Sequence, residues 1–165
     1  MVKCMKAEYV APFAEAAVRV LAAVLGGTPE RGAPAARPQI FTTQQINIVF
    51  GVTGSVEGLV IYGMSMITAD KIASKMIGAQ VVTFDALAAS AIAELGNMIS
   101  GNSVTIMQNQ GFDCDLTPPT IIRGSNVRIT TLDIPAICIP FTIEGIGSID
   151  VNVSLQQRVS AVRAA

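Results

Sequence analysis

The segment from Thr83 to Gln110 constrains the fold most, because its apolar side chains recur at helical spacing along its whole length. Placed at about 100° per residue, its large apolar side chains gather on one face and its small residues form a stripe beside it. We therefore expect a long helix whose apolar face lies in the core. That face comprises Phe84, Ala88, Ala91, Ile92, Leu95, Ile99 and Ile106, and the small-residue stripe comprises Ala86, Ala89, Ala93, Gly96, Ser100 and Ser103.

The ends and the interior of this helix carry further signals. Thr83 is the predicted N-cap, Asp85 follows in the first turn, where a carboxylate favours the helix dipole, and Gly111 marks the C-terminal stop. Gly96 and Gly101 lie inside the helix, although each costs about 1 kcal/mol relative to Ala. Their presence indicates that the helix needs clearance there.

Other elements alternate between helices and hairpins. A first helix is predicted over residues 3–25 and ends at Gly26 and Gly27, while a short helix begins near Thr68 and closes at Gly78. Residues 40–64 are typical of two strands joined by the turn "TGSVEG".

Strand patterns return after residue 112 and end in the apolar runs "AICIPFTIEG" and "GSIDVNVSL". Residues 27–39, "GTPERGAPAARPQ", are rich in Pro, Gly and Ala, and we expect a mobile loop with little order there. The order, roughly α-β-β-α-α-β-β-β, predicts an α+β fold with a largely antiparallel sheet covered by helices. We expect one domain over residues 1–156 and a frayed tail over 157–165.

Composition narrows the possible chemistry. Hydrophobic residues make up 51% of the 165 residues and charged ones 14%, which is typical of a folded domain. The absence of histidine excludes Ser-His-Asp and Cys-His catalysis and the HExxH zinc site. Three cysteines without a CxxC pair make a poor metal set and indicate reduced thiols in a cytoplasmic protein. We expect no metal bound by this chain.

Several classes of partner are disfavoured as well. A net charge of −1 with scattered Lys and Arg argues against nucleic acid. Apolar runs stay shorter than the roughly 18 residues that span a bilayer, so no transmembrane helix is expected. Glu8 and Glu15 interrupt the apolar N-terminal part, which is unlike a signal peptide.

A polar ridge runs along the long helix, nearly opposite its core face. It consists of Ser90, Glu94, Asn97 and Gly101, which lie three or four residues apart. One interpretation is an ordinary solvated face. The other is functional, because a carboxamide can orient a water and a carboxylate one turn away can pair with a lysine of a partner. Since the ridge lacks a nucleophile, a metal and a base suited to neutral pH, it would complete a site that a partner brings.

The stretch "SAIAELGNMISGN" resembles the E-x-x-N signature of the CheC/CheX/FliY family of response-regulator phosphatases. The stretches "MKAEYVAPFAEAAVRVL", "FGVTGSVEGLVIYGMS", "TADKIASKMIG" and "LTPPTIIRG" extend the resemblance, to the CheX branch in particular, over roughly Met5 to Leu155. The resemblance implies a CheC-like fold and hydrolysis of the aspartyl-phosphate of a CheY-like receiver. That receiver would carry the Mg²⁺ and the phosphoryl group.

By position in the motif, the resemblance gives Asn97 the placing of the hydrolytic water and Glu94 a contact with the receiver's lysine. Ser90 and Gly101 take supporting or docking roles, and Ser90 fits a small polar surface residue equally well. One site per chain is implied, because in the first helix Val18 stands three residues after Glu15, where an asparagine would be needed.

The resemblance also implies a homodimer, with the two last apolar strands as candidates for sharing across the interface. The same strands equally fit an ordinary core within one chain. Two further functions stay open: a non-catalytic module that binds a receiver or a flagellar switch, and a structural α+β dimer whose ridge is merely solvated. An intact Glu94 and Asn97 favour catalysis.

Overall fold

The computed structural model describes residues 5–125, 128–130 and 134–159, and within them the fold is α+β. Three helices, α1 (Ala7–Leu25), α2 (Met66–Ile77) and α3 (Ala86–Asn109), pack on one face of an antiparallel sheet. The predicted fold class and the helix count are confirmed. No helix in the described ranges is both long and apolar enough to cross a membrane.

α2 and α3 each begin two residues away from the position that the sequence predicted. Ser65 caps α2 by accepting a hydrogen bond from the Thr68 backbone amide, so Thr68 is not the first residue. Asp85, not Thr83, caps α3 and accepts from the Ala88 amide at 2.9 Å. At the other ends, Gly26 and Gly78 adopt the left-handed conformation with φ of 77°, as the sequence predicted.

The strands form one large sheet and one small one. The large sheet has the order β1-β9-β10-β5-β4-β6, with β2 also pairing β9 and β7 also pairing β4, and the small sheet pairs β3 with β8. The strands are β1 Glu30–Arg31, β2 Ala35–Arg37, β3 Phe41–Thr42, β4 Ile46–Gly54, β5 Val56–Met64, β6 Cys114–Leu116, β7 Thr120–Arg123, β8 Ile129–Thr130, β9 Ala136–Ile143 and β10 Gly147–Gln157.

Two hairpins form the centre of the sheet. β4 and β5 form the predicted first hairpin, in which Ile48 lies opposite Tyr62, and β9 and β10 form the last. Because β10 also pairs with β5 along nine residues, both apolar C-terminal strands lie inside the sheet of one chain. Within one chain they are ordinary sheet strands, the second of the two alternatives, and their sharing across a dimer stays a prediction. β10 reaches Gln157, one residue past the predicted domain boundary, and the tail residues 160–165 lie outside the described ranges.

The expected mobile loop at residues 27–39 is also corrected. β1 and β2 lie within it and extend the sheet by pairing with β9. Local composition was misleading because the prolines stand beside these short strands, at 29, 34 and 38, where no ladder hydrogen bond is lost. The edge of β9 supplies the hydrogen-bonding partners of both strands, which the sequence of residues 27–39 could not reveal by itself.

Each face of the sheet has its own core. The larger core lies between the helices and the side chains of the sheet that point toward them. A small cluster around Ile40, Ile61 and Ala136 fills the opposite face. α3 packs against both α1 and α2 and crosses β4 closely at Gly96, where an added Cβ would come within 2.9 Å of Phe50 and 3.1 Å of Ile48.

The two glycines of α3 therefore provide a matched pair for a stability test. Gly101→Ala should raise the free energy of unfolding by about 1 kcal/mol, because a Cβ there meets nothing within 4 Å and alanine favours the helix. Gly96→Ala should lower it by roughly 1–3 kcal/mol, because the methyl group collides with Phe50 and Ile48. Urea denaturation measures both, and equal gains at the two sites would contradict this account of the packing.

Candidate functional site

The polar ridge of α3 lies on the protein surface, as the helical periodicity predicted. Ser90, Glu94, Asn97 and Gly101 are exposed. The core face is buried or half-buried, with Ile92, Leu95 and Ile99 almost inaccessible. The two polar side chains that the sequence singled out therefore stand one turn apart on an accessible surface.

The side chains of Glu94 and Asn97 are unpaired within the described part of the chain. Within the described residues, Glu94 and Asn97 form no side-chain hydrogen bond or ion pair with another group, and the same holds for Ser90. By contrast, the amide of Asn102, on the same helix, donates to the Met98 carbonyl at 2.7 Å. The carboxylate of Glu94 and the carboxamide of Asn97 are thus free to bind a partner.

The small-residue stripe lies under the ridge and holds α3 on the sheet. Gly96, Ser100 and Ser103 are buried, Ala89 and Ala93 are half-buried, and Ala86 is exposed. A stripe of small residues predicts that another backbone approaches the helix closely. The structure instead brings side chains of the sheet against it.

One hydrogen bond ties this stripe to β5. The Tyr62 hydroxyl lies 2.7 Å from the Ser100 hydroxyl, with both groups fully buried. Burial raises the pKa of Tyr62 above its usual range, and the Ser100 hydrogen bond offsets only part of that rise. Sequence analysis missed this pair because only the fold reveals which strand residue faces Ser100. The contact joins α3 to β5 at Ser100, three residues after Asn97.

The shape and chemistry of the ridge match a macromolecular partner better than a small ligand. A helix ridge is convex, whereas small ligands occupy concave pockets. A hollow of about 820 Å³ lies elsewhere, between α1 and β9. In the described ranges, no group of three or more Cys, Asp or Glu side chains could hold a metal ion.

Two exposed apolar side chains near the start of α3 escaped the sequence analysis. Leu87 stands three residues before Ser90, so it lies on the same face as the ridge, and Val82 lies in the preceding loop. Leu87 stands seven residues, or about two helical turns, before Glu94, and this spacing by itself predicts that both lie on one face of the helix. It was overlooked because an apolar residue in a helix is usually assigned to a core.

Comparison with known proteins supports a single family. The model of the family described as "Chemotaxis phosphatase CheX" matches residues 46–142, a segment that includes the whole of α3. The CheY-P phosphatase CheX of Thermotoga maritima is 34% identical over 134 residues, which cover 81% of this chain and 86% of that protein. This chain belongs to the CheX family of chemotaxis phosphatases.

Solved structures agree with this CheX assignment. A chain in the CheX–CheY–BeF3–Mg²⁺ complex of Borrelia burgdorferi superposes with a TM-score of 0.80 at 33% identity, covering 90% of this chain and 98% of that one. A CheC-like protein from Shewanella gives 0.83 at 20% identity, covering 92% and 99%, which shows a shared fold.

The buried Tyr62 hydroxyl predicts how stability depends on pH. A tyrosine in the unfolded chain ionises near pH 10, whereas burial keeps Tyr62 protonated to higher pH in the folded protein. The folded state then holds more protons, so the free energy of unfolding falls as pH rises above about 10, by at most 1.4 kcal/mol per pH unit from this group. Tyr62→Phe should lose less stability than wild type between about pH 8 and pH 11.

Denaturation at the two pH values measures this difference. At neutral pH, Tyr62→Phe should cost about 1 kcal/mol, because Ser100 loses its buried partner. The same pH dependence in wild type and variant would show that Tyr62 does not ionise on unfolding as proposed.

Proposed function

We propose that this chain hydrolyses the aspartyl-phosphate of a CheY-like response regulator and so ends a chemotaxis signal. The observation that carries the proposal is the exposed, unpaired Glu94 and Asn97 on α3 of a CheX-family chain. The names of two relatives support it, since one is a CheY-P phosphatase and another was solved with CheY.

Asn97 is proposed to position the attacking water. Its carboxamide can accept one hydrogen bond from that water and donate another toward the phosphoryl group, which holds the water in line with the bond to be broken. The water oxygen bonds to phosphorus while the bond from phosphorus to the aspartate oxygen breaks. The products are inorganic phosphate and a free carboxylate.

Little further chemistry is required of this chain. Phosphoryl transfer depends mostly on positioning and on neutralising charge, and Mg²⁺ held by the receiver would supply the neutralisation. The relative from Borrelia was solved with Mg²⁺ and CheY, which supports placing the metal on the partner. A ridge without metal or nucleophile can then be sufficient.

Glu94 is proposed to orient the receiver. One turn before Asn97, its carboxylate can pair with a lysine beside the phosphorylated aspartate. The pair would gain strength once docking excludes water from it. Ser90 and Gly101 are proposed to support docking, Ser90 through its hydroxyl and Gly101 because no side chain obstructs the partner there.

Substitution of the two residues should separate their roles. Asn97→Ala should lower kcat about a hundredfold or more with binding mostly kept, because it removes a contact to the reacting water. Glu94→Ala should also weaken binding, raising KM about tenfold, because the lysine of the receiver loses its partner. Phosphate release from a phosphorylated CheY receiver, measured over a range of receiver concentrations, gives both constants.

Asn102→Ala is the matched control, since that amide lies on the same helix but bonds to its own backbone. It should leave kcat and KM unchanged. If Asn97→Ala hydrolysed as fast as wild type, the catalytic role would be wrong. If wild type bound the phosphorylated receiver without speeding hydrolysis, the chain would be a binding module of the kind that sequesters a receiver or assembles with a flagellar switch.

We place this activity in one domain, consistent with residues 1–156, because a single large core draws side chains from all three helices and from β4, β5, β9 and β10. We place it in the cytoplasm, where Cys114 and Cys138 would stay reduced. Both are buried free thiols, and burial raises the pKa of each, which keeps them protonated.

We also propose a homodimer. Support comes from the 820 Å³ hollow, which is lined mainly by apolar side chains of α1 and β9 and lies beside the sheet edge formed by β1 and β2. A second chain covering it would remove this apolar surface from water.

Light scattering should therefore give a mass twice the 17.2 kDa of one chain. Ala11 is exposed and lines the hollow, so Ala11→Glu should place a charge in the interface and shift the mass toward one chain. A wild type that is monomeric at micromolar concentration would exclude this dimer.

A further inference from the structure

An apolar patch formed by Val82 and Leu87 lies at the N-terminal end of the polar ridge. Val82 is 87% exposed and Leu87 is 61% exposed. Both side chains line a cleft of about 370 Å³ that lies between the end of α2 and the start of α3. Most large apolar side chains of the described residues are buried, so two neighbouring exposed ones stand out.

The backbone around the patch is held firmly, which argues against chance exposure. Between the two residues, Asp85 caps α3 and Phe84 points into the core at 5% exposure. Arg123 donates to the Phe84 carbonyl at 2.8 Å and lies over the Phe84 ring. With Phe84 anchored inward, Val82 and Leu87 are kept facing outward.

We propose that Val82 and Leu87 are an apolar anchor that docks the same receiver whose phosphoryl group Asn97 addresses. This inference rests on the proposed function. It assigns the anchor to recognition and leaves the chemistry to Glu94 and Asn97. The partner it requires is a receiver with an apolar patch beside its phosphorylated face.

The size of a stable interface supports this choice of occupant. A standard interface covers about 800 Å² on each partner, which is a disc of about 16 Å radius. Measured along the helix from the midpoint of Glu94 and Asn97, Leu87 lies about 13 Å away at 1.5 Å per residue. A receiver centred on Glu94 and Asn97 therefore covers Leu87, and Val82 joins the anchor because it lines the same cleft as Leu87. An exposed apolar side chain that the receiver covers is removed from water, which favours binding roughly in proportion to the apolar area buried.

Val159 offers a matched control at the opposite end of the molecule. It is 82% exposed and lines a separate hollow with Tyr9, whose ring contacts Phe112 just beyond α3. The end of α3 at Asn109 is already about 20 Å from the catalytic pair, outside the disc. Val159→Ala removes as much apolar surface as Val82→Ala but should leave receiver binding unchanged.

The test compares Val82→Ala, Leu87→Ala and Val159→Ala in two assays. Phosphate release from a phosphorylated CheY receiver gives kcat and KM, and calorimetry with CheY carrying beryllium fluoride and Mg²⁺ gives Kd. We expect Val82→Ala and Leu87→Ala each to raise KM and Kd about five- to tenfold with kcat unchanged. Circular dichroism should show all three variants folded, since the substituted side chains are exposed.

The outcomes separate this inference from the proposed function. If wild type hydrolyses the phosphoaspartate but both anchor variants match Val159→Ala in KM and Kd, the anchor is wrong and the function stands. If wild type binds the beryllium fluoride form without hydrolysing, the function is wrong, and the Kd values still decide the anchor. If the anchor variants change the mass of the protein in light scattering, the patch joins two copies and the inference is overturned. A wild type that binds no receiver overturns both.

Discussion

The close crossing of α3 over β4 and β5 is the contact on which the rest of the structure depends. Gly96 lets the helix rest on Phe50 and Ile48, and Ser100 joins Tyr62 through a buried hydrogen bond. Because interiors are packed like crystals, a helix held at two such points cannot roll or slide without losing contacts. The outward face of α3, with Glu94 and Asn97, is therefore positioned by what lies beneath it.

A rigid ridge suits a site that a partner completes. An exposed Glu and Asn have no pocket around them to exclude water. What these two side chains offer a partner is a fixed orientation, and the helix that carries them sets that orientation. A phosphorylated receiver would bring an activated phosphoryl group and a metal, so what remains to be supplied is a water at the right place.

The sequence revealed the faces of α3 well, since helical periodicity depends only on local order. Helical spacing alone places Glu94, Asn97, Ser90 and Gly101 on the outward face, and all four are exposed in the fold. The sequence revealed the helix starts less well, because several cap residues stood close together and only the folded geometry chooses among them. The glycines that end α1 and α2 were easier to predict, because the left-handed conformation at the end of a helix strongly favours glycine.

Errors arose where distant parts of the chain decide the outcome. The segment 27–39 was expected to be mobile because its composition says so, yet β9 supplies an edge that orders two short strands within it. β9 thus has β1 and β2 on one side and β10 on the other, and β10 lies between β9 and β5, pairings that only the fold reveals.

Leu87 was missed for the opposite reason, since its position follows from local spacing alone. Its spacing of seven residues from Glu94 puts it on the ridge face, but as one apolar residue among many in this chain it was not singled out. A side chain that is apolar by type and exposed by position belongs to neither the core nor the solvated surface. In the proposed complex, where a receiver is held against Glu94 and Asn97, that combination is what a docking contact requires. Here the exception to the hydrophobic pattern carries more information about function than the pattern itself.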